Sequence, residues 1–388
     1  MIYSQFKDKK LSLLGLGAMR LPTNPDGTIN EQQTGEMVAH CISQGINYFD
    51  TAYFYHNKES ERVIGKVLAE HPRESWYLAT KYPGSLARDP GCAPKEMFEG
   101  QLRKCGVEYF DFYLLHNVDE NTMENFLAPE LGIIDYLVEQ KKLGRIHHLG
   151  FSCHAETENL KKFLDLHGDK MEFCQIQLNW LDWTLQDAKG KYELLTERNI
   201  PVWVMEPVRG GRLASLPDAD EAALKAIHPD ASIPSWSFRF LQGLPNVHMI
   251  LRGMSNMEQL QDNINTFCTR TPLSEQESAL LQAIAEKLKA AIPCTGCRYC
   301  CDGCPQGLEI PTLLELSNKL RFAWNIPEDL RKEFLKEGVD PAACIACGKC
   351  SSVCPQHIDI PVALKDFAKK LPTLSGWDEI CRQREEVK

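Results

Sequence analysis

Two cysteine runs near the C-terminus constrain this chain more than any other feature. Cys294, Cys297, Cys300 and Cys304 follow the spacing C-x2-C-x2-C-x3-C, with Pro305 next; Cys344, Cys347, Cys350 and Cys354 repeat it, with Pro355 next. Nine of the 16 cysteines fall between Cys294 and Cys354, so the concentration is local. A disulfide framework suits small secreted chains, and this chain has 388 residues. Zinc binds CxxC pairs, but its four tetrahedral thiolates give no reason for the third-and-fourth rhythm seen here. Three thiolates two residues apart wrap one loop around one set of irons. The fourth, farther on and held by proline, reaches the other set. The spacing therefore predicts two [4Fe–4S] clusters. One is expected on Cys294, Cys297, Cys300 and Cys354, the other on Cys344, Cys347, Cys350 and Cys304. Cys301 is an alternative to Cys300 as third ligand of the first run; Cys300 is preferred because it reproduces the second run.

Upstream, short apolar segments alternate with amphipathic ones from about Leu11 to Cys268. The strand candidates are LSLLGLG, INYFDTA, SWYLATK, YFDFYLLH, IHHLGFS, EFCQIQL, PVWVMEP and VHMILRG. Helical periodicity fills Gln32–Gln44, Ser60–Glu70, Pro94–Lys104, Pro129–Lys142, Thr157–Leu166 and Leu185–Arg198. Eight strand–helix units predict an α/β fold of the TIM-barrel, (β/α)8, type. A doubly wound sheet would advertise GxGxxG after an early strand. Gly15-Leu-Gly17 supplies only the first two glycines and is read as a tight entry into the barrel. A further helix is expected over Leu273–Ala291, with Ser274 as N-cap and Glu277 three residues on. The boundary is drawn near residue 290: a barrel over 1–290, and a small, mostly helical cluster-bearing domain over 291–388. The phrases CPQGLEIP and CPQHIDIP, one after each cysteine run, are the one internal repeat.

Composition narrows the function. Hydrophobic residues make up 43% and charged residues 25%, ordinary for a globular chain with a sizeable core. A net charge of −10 without a basic stripe argues against nucleic acid as partner. The apolar stretches are strand-sized, so no membrane span is expected. The opening MIYSQFKDKKLSLLGLG has no long apolar run or small-residue cleavage site, and a cytoplasmic location is expected. Cys41, Cys105, Cys174 and Cys268 lie on apolar faces and are read as buried core thiols. Cys381 has no partner motif.

Barrel enzymes carry their catalytic groups at the C-terminal ends of strands. Asp50 ends the second candidate strand, Lys81 the third and His116 the fourth. Tyr55 lies in the loop five residues after Asp50. Each alone is compatible with a capping or packing role; the four together are harder to explain that way. The stretch GINYFDTAYFYHNKESERVIGKVL, with LATK and FYLLH, resembles the aldo-keto reductases over roughly residues 10–270. By that resemblance Tyr55 is the general acid that protonates a carbonyl oxygen as hydride arrives. Lys81 lowers the phenol's pKa, Asp50 holds Lys81, and His116 orients the carbonyl. The implied reaction is NAD(P)H-linked reduction of an aldehyde or ketone, or the reverse oxidation of an alcohol.

The same resemblance puts Ser152 and Gln177 at the nicotinamide amide, with Asn179 close by. In MEPVRGG, Pro207 is kept, while Met205 stands where the family usually has an aromatic ring. LRGMSNMEQLQDN resembles the phosphate-holding segment, with Gly253, Ser255, Gln259 and Asn263. Many NADP-preferring members have basic residues at the Gly253 and Gln259 positions, and this chain has none there, which favours NAD over NADP. Phe54, Trp180 and Trp183 are candidate pocket walls, or core.

The paired cysteine runs resemble dicluster ferredoxins of the α-helical variety. Nicotinamide moves two electrons and a cluster one, so a flavin or another splitter is needed to join the halves. A redox partner protein is a separate expectation. Three readings stand: a carbonyl reductase whose clusters carry electrons, a reductase whose clusters are structural, and an electron-transfer module with a vestigial barrel site.

Overall fold

The computed structural model describes residues 1–288, 292–320 and 326–386. It divides into two compact units. The first comprises Met1–Val208 and Leu213–Gln282, and the second comprises Arg209–Arg212 and Ala283–Lys388. The boundary expected near residue 290 falls in residues 289–291, outside the described residues. Among the described residues no helix is long and apolar enough to cross a membrane.

The first unit begins with an antiparallel hairpin, β1 (Tyr3–Phe6) and β2 (Lys9–Ser12). Eight parallel strands follow: β3 (Leu14–Gly17), β4 (Tyr48–Asp50), β5 (Tyr77–Pro83), β6 (Phe110–Val118), β7 (Ile146–Cys153), β8 (Cys174–Gln177), β9 (Val202–Met205) and β10 (Val247–Arg252). They close into a barrel in sequence order, with β10 pairing both β9 and β3. Each expected strand is present, but LSLLGLG is two elements: Leu11 and Ser12 finish the hairpin and Leu14 starts the barrel. The hairpin had no expectation attached to it.

Its purpose is visible in the packing. Phe6 plugs the N-terminal end of the barrel, its ring centroid 4.9 Å from Trp203 and 5.1 Å from His148. Phe112, Phe173 and Met249 are among the other residues of the buried cluster around Phe6 and Trp203. Gly15 sits where no side chain fits, since a Cβ there would lie 2.8 Å from both Met249 Sδ and Leu251 Cδ2. That close approach accounts for the glycine at the entry to β3.

The expected helices are present with small shifts. Glu31–Ser43 is capped by Asn30, whose side chain accepts from Gln33 N. Ser60–Leu68, Pro94–Cys105 and Thr157–His167 match their sequence patterns. Two patterns break. Pro129–Leu131 is a short 3-10 turn ended by Gly132 at φ 57°, and the helix proper is Ile133–Lys142. Leu185–Arg198 becomes Asp182–Leu185 and Ala188–Glu197, divided at Asp187, φ 47°, which caps the second piece. Helix Glu275–Leu288 opens on a reciprocal capping box: Glu277 N donates to Ser274 Oγ, and Ser274 N donates to Glu277 Oε2 at 2.7 Å.

The second unit is helical. Tyr299–Asp302 lies within the first cysteine run and Ile310–Lys319 follows it; Lys349–Ser352 and Ile360–Lys370 stand in the same way to the second. The repeated phrases thus open equivalent helices, with Pro311 and Pro361 in their first turns, where proline's missing N–H costs nothing. Leu313, Leu314, Phe334, Ile360, Leu364 and Phe367 form the buried core, and Cys300 and Cys350 belong to it.

Candidate active site and cluster cavities

Asp50, Lys81 and His116 stand at the C-terminal ends of three adjacent strands, β4, β5 and β6. Lys81 Nζ donates to Asp50 Oδ1 at 2.5 Å and to the Thr51 carbonyl at 2.8 Å. Both side chains are buried. Burial pushes the Lys81 ammonium below its usual pKa, and Asp50 works against that shift. Burial likewise raises the Asp50 carboxyl, with Lys81 opposing.

Tyr55 comes from the loop after β4. That loop turns through positive φ at His56, Asn57 and Lys58, and is tied down by Leu21 N donating to His56 Nε2 at 3.1 Å. The turn brings the Tyr55 ring centroid within 5.2 Å of Lys81 Nζ and 6.1 Å of the His116 ring. The His116 pKa is driven well below 6.5 by burial, then by Lys81 and His154. It is therefore a neutral imidazole near pH 7. Its Nδ1 is buried without a hydrogen-bond partner among the described residues, as is Asp50 Oδ2. All four sequence-identified residues are thus brought together.

Beneath them lies a buried network that sequence reasoning missed. Glu61 Oε1 accepts from Thr80 Oγ1 at 2.7 Å and from Gln101 Nε2 at 2.6 Å. Gln101 Nε2 also donates to the Lys81 carbonyl, and Gln101 Oε1 accepts from Tyr113 OH. Glu61 is fully buried, and its charge supports the protonated form of Lys81. Its position within the quoted reductase-like stretch was the available signal.

The expected cofactor residues line the same end of the barrel. Ser152 Oγ accepts from Asn117 N at 2.8 Å. Gln177 and Asn179 both donate to Asp182 Oδ2 at 2.7 Å, so their amides are held in fixed orientations. Met205 ends β9 half-buried, and Pro207 is buried just beyond it. After β10, Ser255 N donates to Gln259 Oε1 and Ser255 Oγ to the Arg20 carbonyl. Asn256 caps the helix Met257–Thr266 that follows. Asn263 is buried there, its Nδ2 without a partner among the described residues, like Arg252 Nε and Asn117 Oδ1. Arg20 packs its stem against Gly253: a Cβ on Gly253 would meet the Arg20 Cβ at 3.0 Å. That neighbouring cation was not foreseen. Orphaned polar atoms at a barrel's C-terminal face are suited to a dinucleotide, so the residues present fit a nicotinamide cofactor.

Phe54 lies 6.1 Å from the His116 ring. Trp180, by contrast, is buried and donates to Ser237 Oγ, and Trp183 packs against Tyr192 and Phe240, so both serve packing. A cavity of about 700 Å³ near Lys7, Lys141 and Pro201 opens at the opposite end of the barrel and contains none of the four catalytic candidates.

In the second unit, one cavity is lined by Cys294, Cys297, Cys300 and Cys354, with Gln356 and Ile358. Another is lined by Cys304, Cys344, Cys347 and Cys350, with Ile345 and Lys349. Cys301 lines neither of the two. Among the described residues no three His, Cys, Asp or Glu side chains close to the spacing of a single metal ion. Four thiols around a hollow are the donor set that a [4Fe–4S] cluster takes, so these residues fit that group. Of the thiols read as core, Cys41, Cys105 and Cys174 are buried; Cys268 is exposed, because it follows the end of helix Met257–Thr266.

Comparison with known proteins agrees with both halves. The aldo/keto reductase family model matches residues 13–286, and a 4Fe-4S dicluster domain model matches residues 293–358. The uncharacterized oxidoreductase YqkF of Bacillus subtilis is 28% identical, covering 71% of this chain and 93% of its own. The NADH-specific methylglyoxal reductase of Escherichia coli is 23% identical over 73% of this chain and 97% of its own. Among solved structures, the aldo-keto reductase AKR11C1 of Bacillus halodurans superposes with TM-score 0.60 at 24% identity, covering 73% of this chain and 96% of that one. An aldo/keto reductase of Klebsiella pneumoniae in complex with NADP and acetate gives TM-score 0.59 at 18% identity, over 72% and 93%.

Proposed function

On the premise that this chain belongs to the aldo/keto reductase family and is an NAD(P)-dependent oxidoreductase with a 4Fe-4S region, we propose that it reduces an aldehyde or ketone with Tyr55 as proton donor. The observation that carries this reading is the buried Asp50–Lys81 ion pair with the Tyr55 ring 5.2 Å from Lys81 Nζ. A phenol near pKa 10 gives up its proton reluctantly at neutral pH. An adjacent ammonium stabilises the phenolate left behind and so makes donation easier. Asp50 keeps Lys81 charged and aimed. Neutral His116 orients the carbonyl oxygen toward Tyr55. A bound nicotinamide supplies the hydride. Ser152, Gln177, Met205 and Pro207 hold the nicotinamide half; Gly253, Ser255, Gln259 and Asn263 hold the phosphate half.

NAD is the proposed cofactor, since Gly253 and Gln259 carry no charge; the similarity to an NADH-specific reductase supports this. NADP is the second reading, favoured by Arg20 and Arg252 at the phosphate segment. Comparing KM for NADH and NADPH decides between them.

Two [4Fe–4S] clusters are proposed, one on Cys294, Cys297, Cys300 and Cys354, the other on Cys304, Cys344, Cys347 and Cys350. The shared lining of each cavity supports this division, including Cys300 rather than Cys301. Cys347 is exposed, which supports electron exchange with a redox partner protein. A flavin remains part of the reading as the two-to-one electron splitter.

The test is anaerobic oxidation of NADH or NADPH by a panel of aldehydes and ketones. Tyr55→Phe is expected to cut kcat about 100- to 10,000-fold with the clusters intact, the usual reach of general-acid catalysis. An unchanged kcat in that variant removes Tyr55 as the acid.

A further inference from the structure

We infer that Arg209 and Arg212 raise the reduction potential of the cluster on Cys294, Cys297, Cys300 and Cys354 above that of the other cluster. The inference rests on the cluster reading above and concerns residues of the second unit alone.

The tetrapeptide Arg209-Gly-Gly-Arg212 is far from the cysteine runs in sequence, yet it belongs to the second unit. Arg212 Nη1 donates to the Ile292 carbonyl at 2.6 Å and to the Cys294 carbonyl at 3.1 Å. Arg209 Nη1 donates to the Pro293 carbonyl at 2.6 Å, and its Nη2 to Gln356 Oε1 at 3.2 Å. Gln356 itself lines the Cys294 cavity. Arg209 is 1% exposed. Between the two arginines the backbone is pressed against the run: a Cβ on Gly210 would lie 1.7 Å from the Thr295 carbonyl oxygen. Gly210 has φ 65° and Arg209 φ 50°, so the chain holds a left-handed turn to deliver both guanidiniums.

Charge decides what they do. A [4Fe–4S] cluster with four thiolates carries two negative charges when oxidised and three after accepting one electron. A fixed cation nearby stabilises the more negative state, and the effect is strong where water is excluded. The cation that lines this cavity itself, Arg298, is paired with Glu309 at 2.8 Å and contributes little, whereas Arg209 and Arg212 hold the backbone and the Gln356 side chain behind the lining. At the Cys347 cavity the lining cation is Lys349, which is exposed and screened by water. The two sites repeat one another in cysteine spacing and following helix, so the arginines are the principal electrostatic difference between them. Electrons entering at exposed Cys347 therefore run downhill toward the Cys294 cluster.

The experiment is a dithionite titration with redox mediators, followed by EPR, on the anaerobically purified full chain. Wild type is expected to give two midpoints. Arg212→Gln lowers the higher one and leaves the other unchanged; Arg212→Lys, which keeps the charge, returns it toward wild type. Lys349→Gln leaves the arginine-sensitive midpoint where it was. Cys297→Ser alters the signal of the arginine-sensitive cluster, and Cys347→Ser alters the other. Fully iron-loaded Arg212→Gln protein with unchanged midpoints overturns the inference, as does arginine sensitivity in the cluster that Cys347→Ser perturbs. A wild-type chain that takes up no iron removes the cluster reading itself, so the two failures are distinguishable.

Discussion

Lys81 Nζ meets Asp50 Oδ1 at 2.5 Å between neighbouring strands, with both side chains buried. Such a pair is costly to break from one side, because the remaining charge stays buried without its partner. Asp50→Asn is therefore expected to destabilise the protein by roughly 3–5 kcal/mol, besides lowering kcat. Removing both charges, in Asp50→Asn with Lys81→Met, recovers part of that stability while activity stays low. Urea unfolding of the three proteins checks this. An Asp50→Asn protein as stable as wild type would mean that the pair is not buried in solution.

The barrel floor makes stability depend on pH. His148 sits between Phe6 and Phe112, and burial pushes its pKa from 6.5 to about 4. Its folded pKa lies below its unfolded one, so the unfolded chain binds the proton first as pH falls. The stabilisation is fully present above pH 6.5 and is lost progressively down to about pH 4. His116 acts in the same direction. Melting temperature should decline across that window, and His148→Gln should flatten the decline. A wild-type melting temperature constant from pH 7 to 4 removes the argument.

Helix Glu275–Leu288 offers a local test. Ser274→Ala removes one half of its capping box and should cost about 1 kcal/mol. Burial works to raise the Glu277 pKa, but hydrogen bonds from Ser274, Arg239 and His228 outweigh it and hold the carboxyl at about 2. That pKa is below the unfolded value, so the contribution of Glu277 is present above pH 4.5 and disappears as pH falls toward 2. Glu277→Gln should accordingly lower the melting temperature at pH 7 and much less at pH 2.5. Equal losses at both values would mean that packing, not the ionised carboxylate, is what Glu277 supplies.

The barrel was legible because its strands are short apolar runs, and three of them carry Asp50, Lys81 and His116 at or near their C-terminal ends. The hairpin was not legible: Tyr3–Phe6 and Lys9–Ser12 are four residues each and mostly polar, and their partner is the barrel floor rather than a local pattern. Helical periodicity over Pro129–Lys142 ran straight through Gly132, whose positive φ no apolar count reveals. Glu61 was not legible as part of the site, since its partners Thr80 and Gln101 are contributed by other elements. Arg209 and Arg212 were invisible for the same reason. Their partners lie some eighty residues away in sequence, as the separations of 84 and 80 to Pro293 and Ile292 record.

The division of the eight cysteines can be checked by which deletions resemble each other. Cys354 belongs to the second run in sequence but lines the cavity of Cys294, Cys297 and Cys300. Cys304 belongs to the first run but lines the cavity of Cys344, Cys347 and Cys350. Loss of one thiolate destabilises the cluster it holds and spares the other. Cys354→Ala and Cys297→Ala should therefore leave the same residual EPR signal, and Cys304→Ala and Cys347→Ala should leave the complementary one. Cys301→Ala should keep the iron content of wild type. If each run instead ligates its own cluster, Cys354→Ala will match Cys347→Ala, and the crossed assignment is wrong. Iron analysis beside the spectra separates cluster loss from a change in signal shape, so either pattern of pairing gives a definite answer.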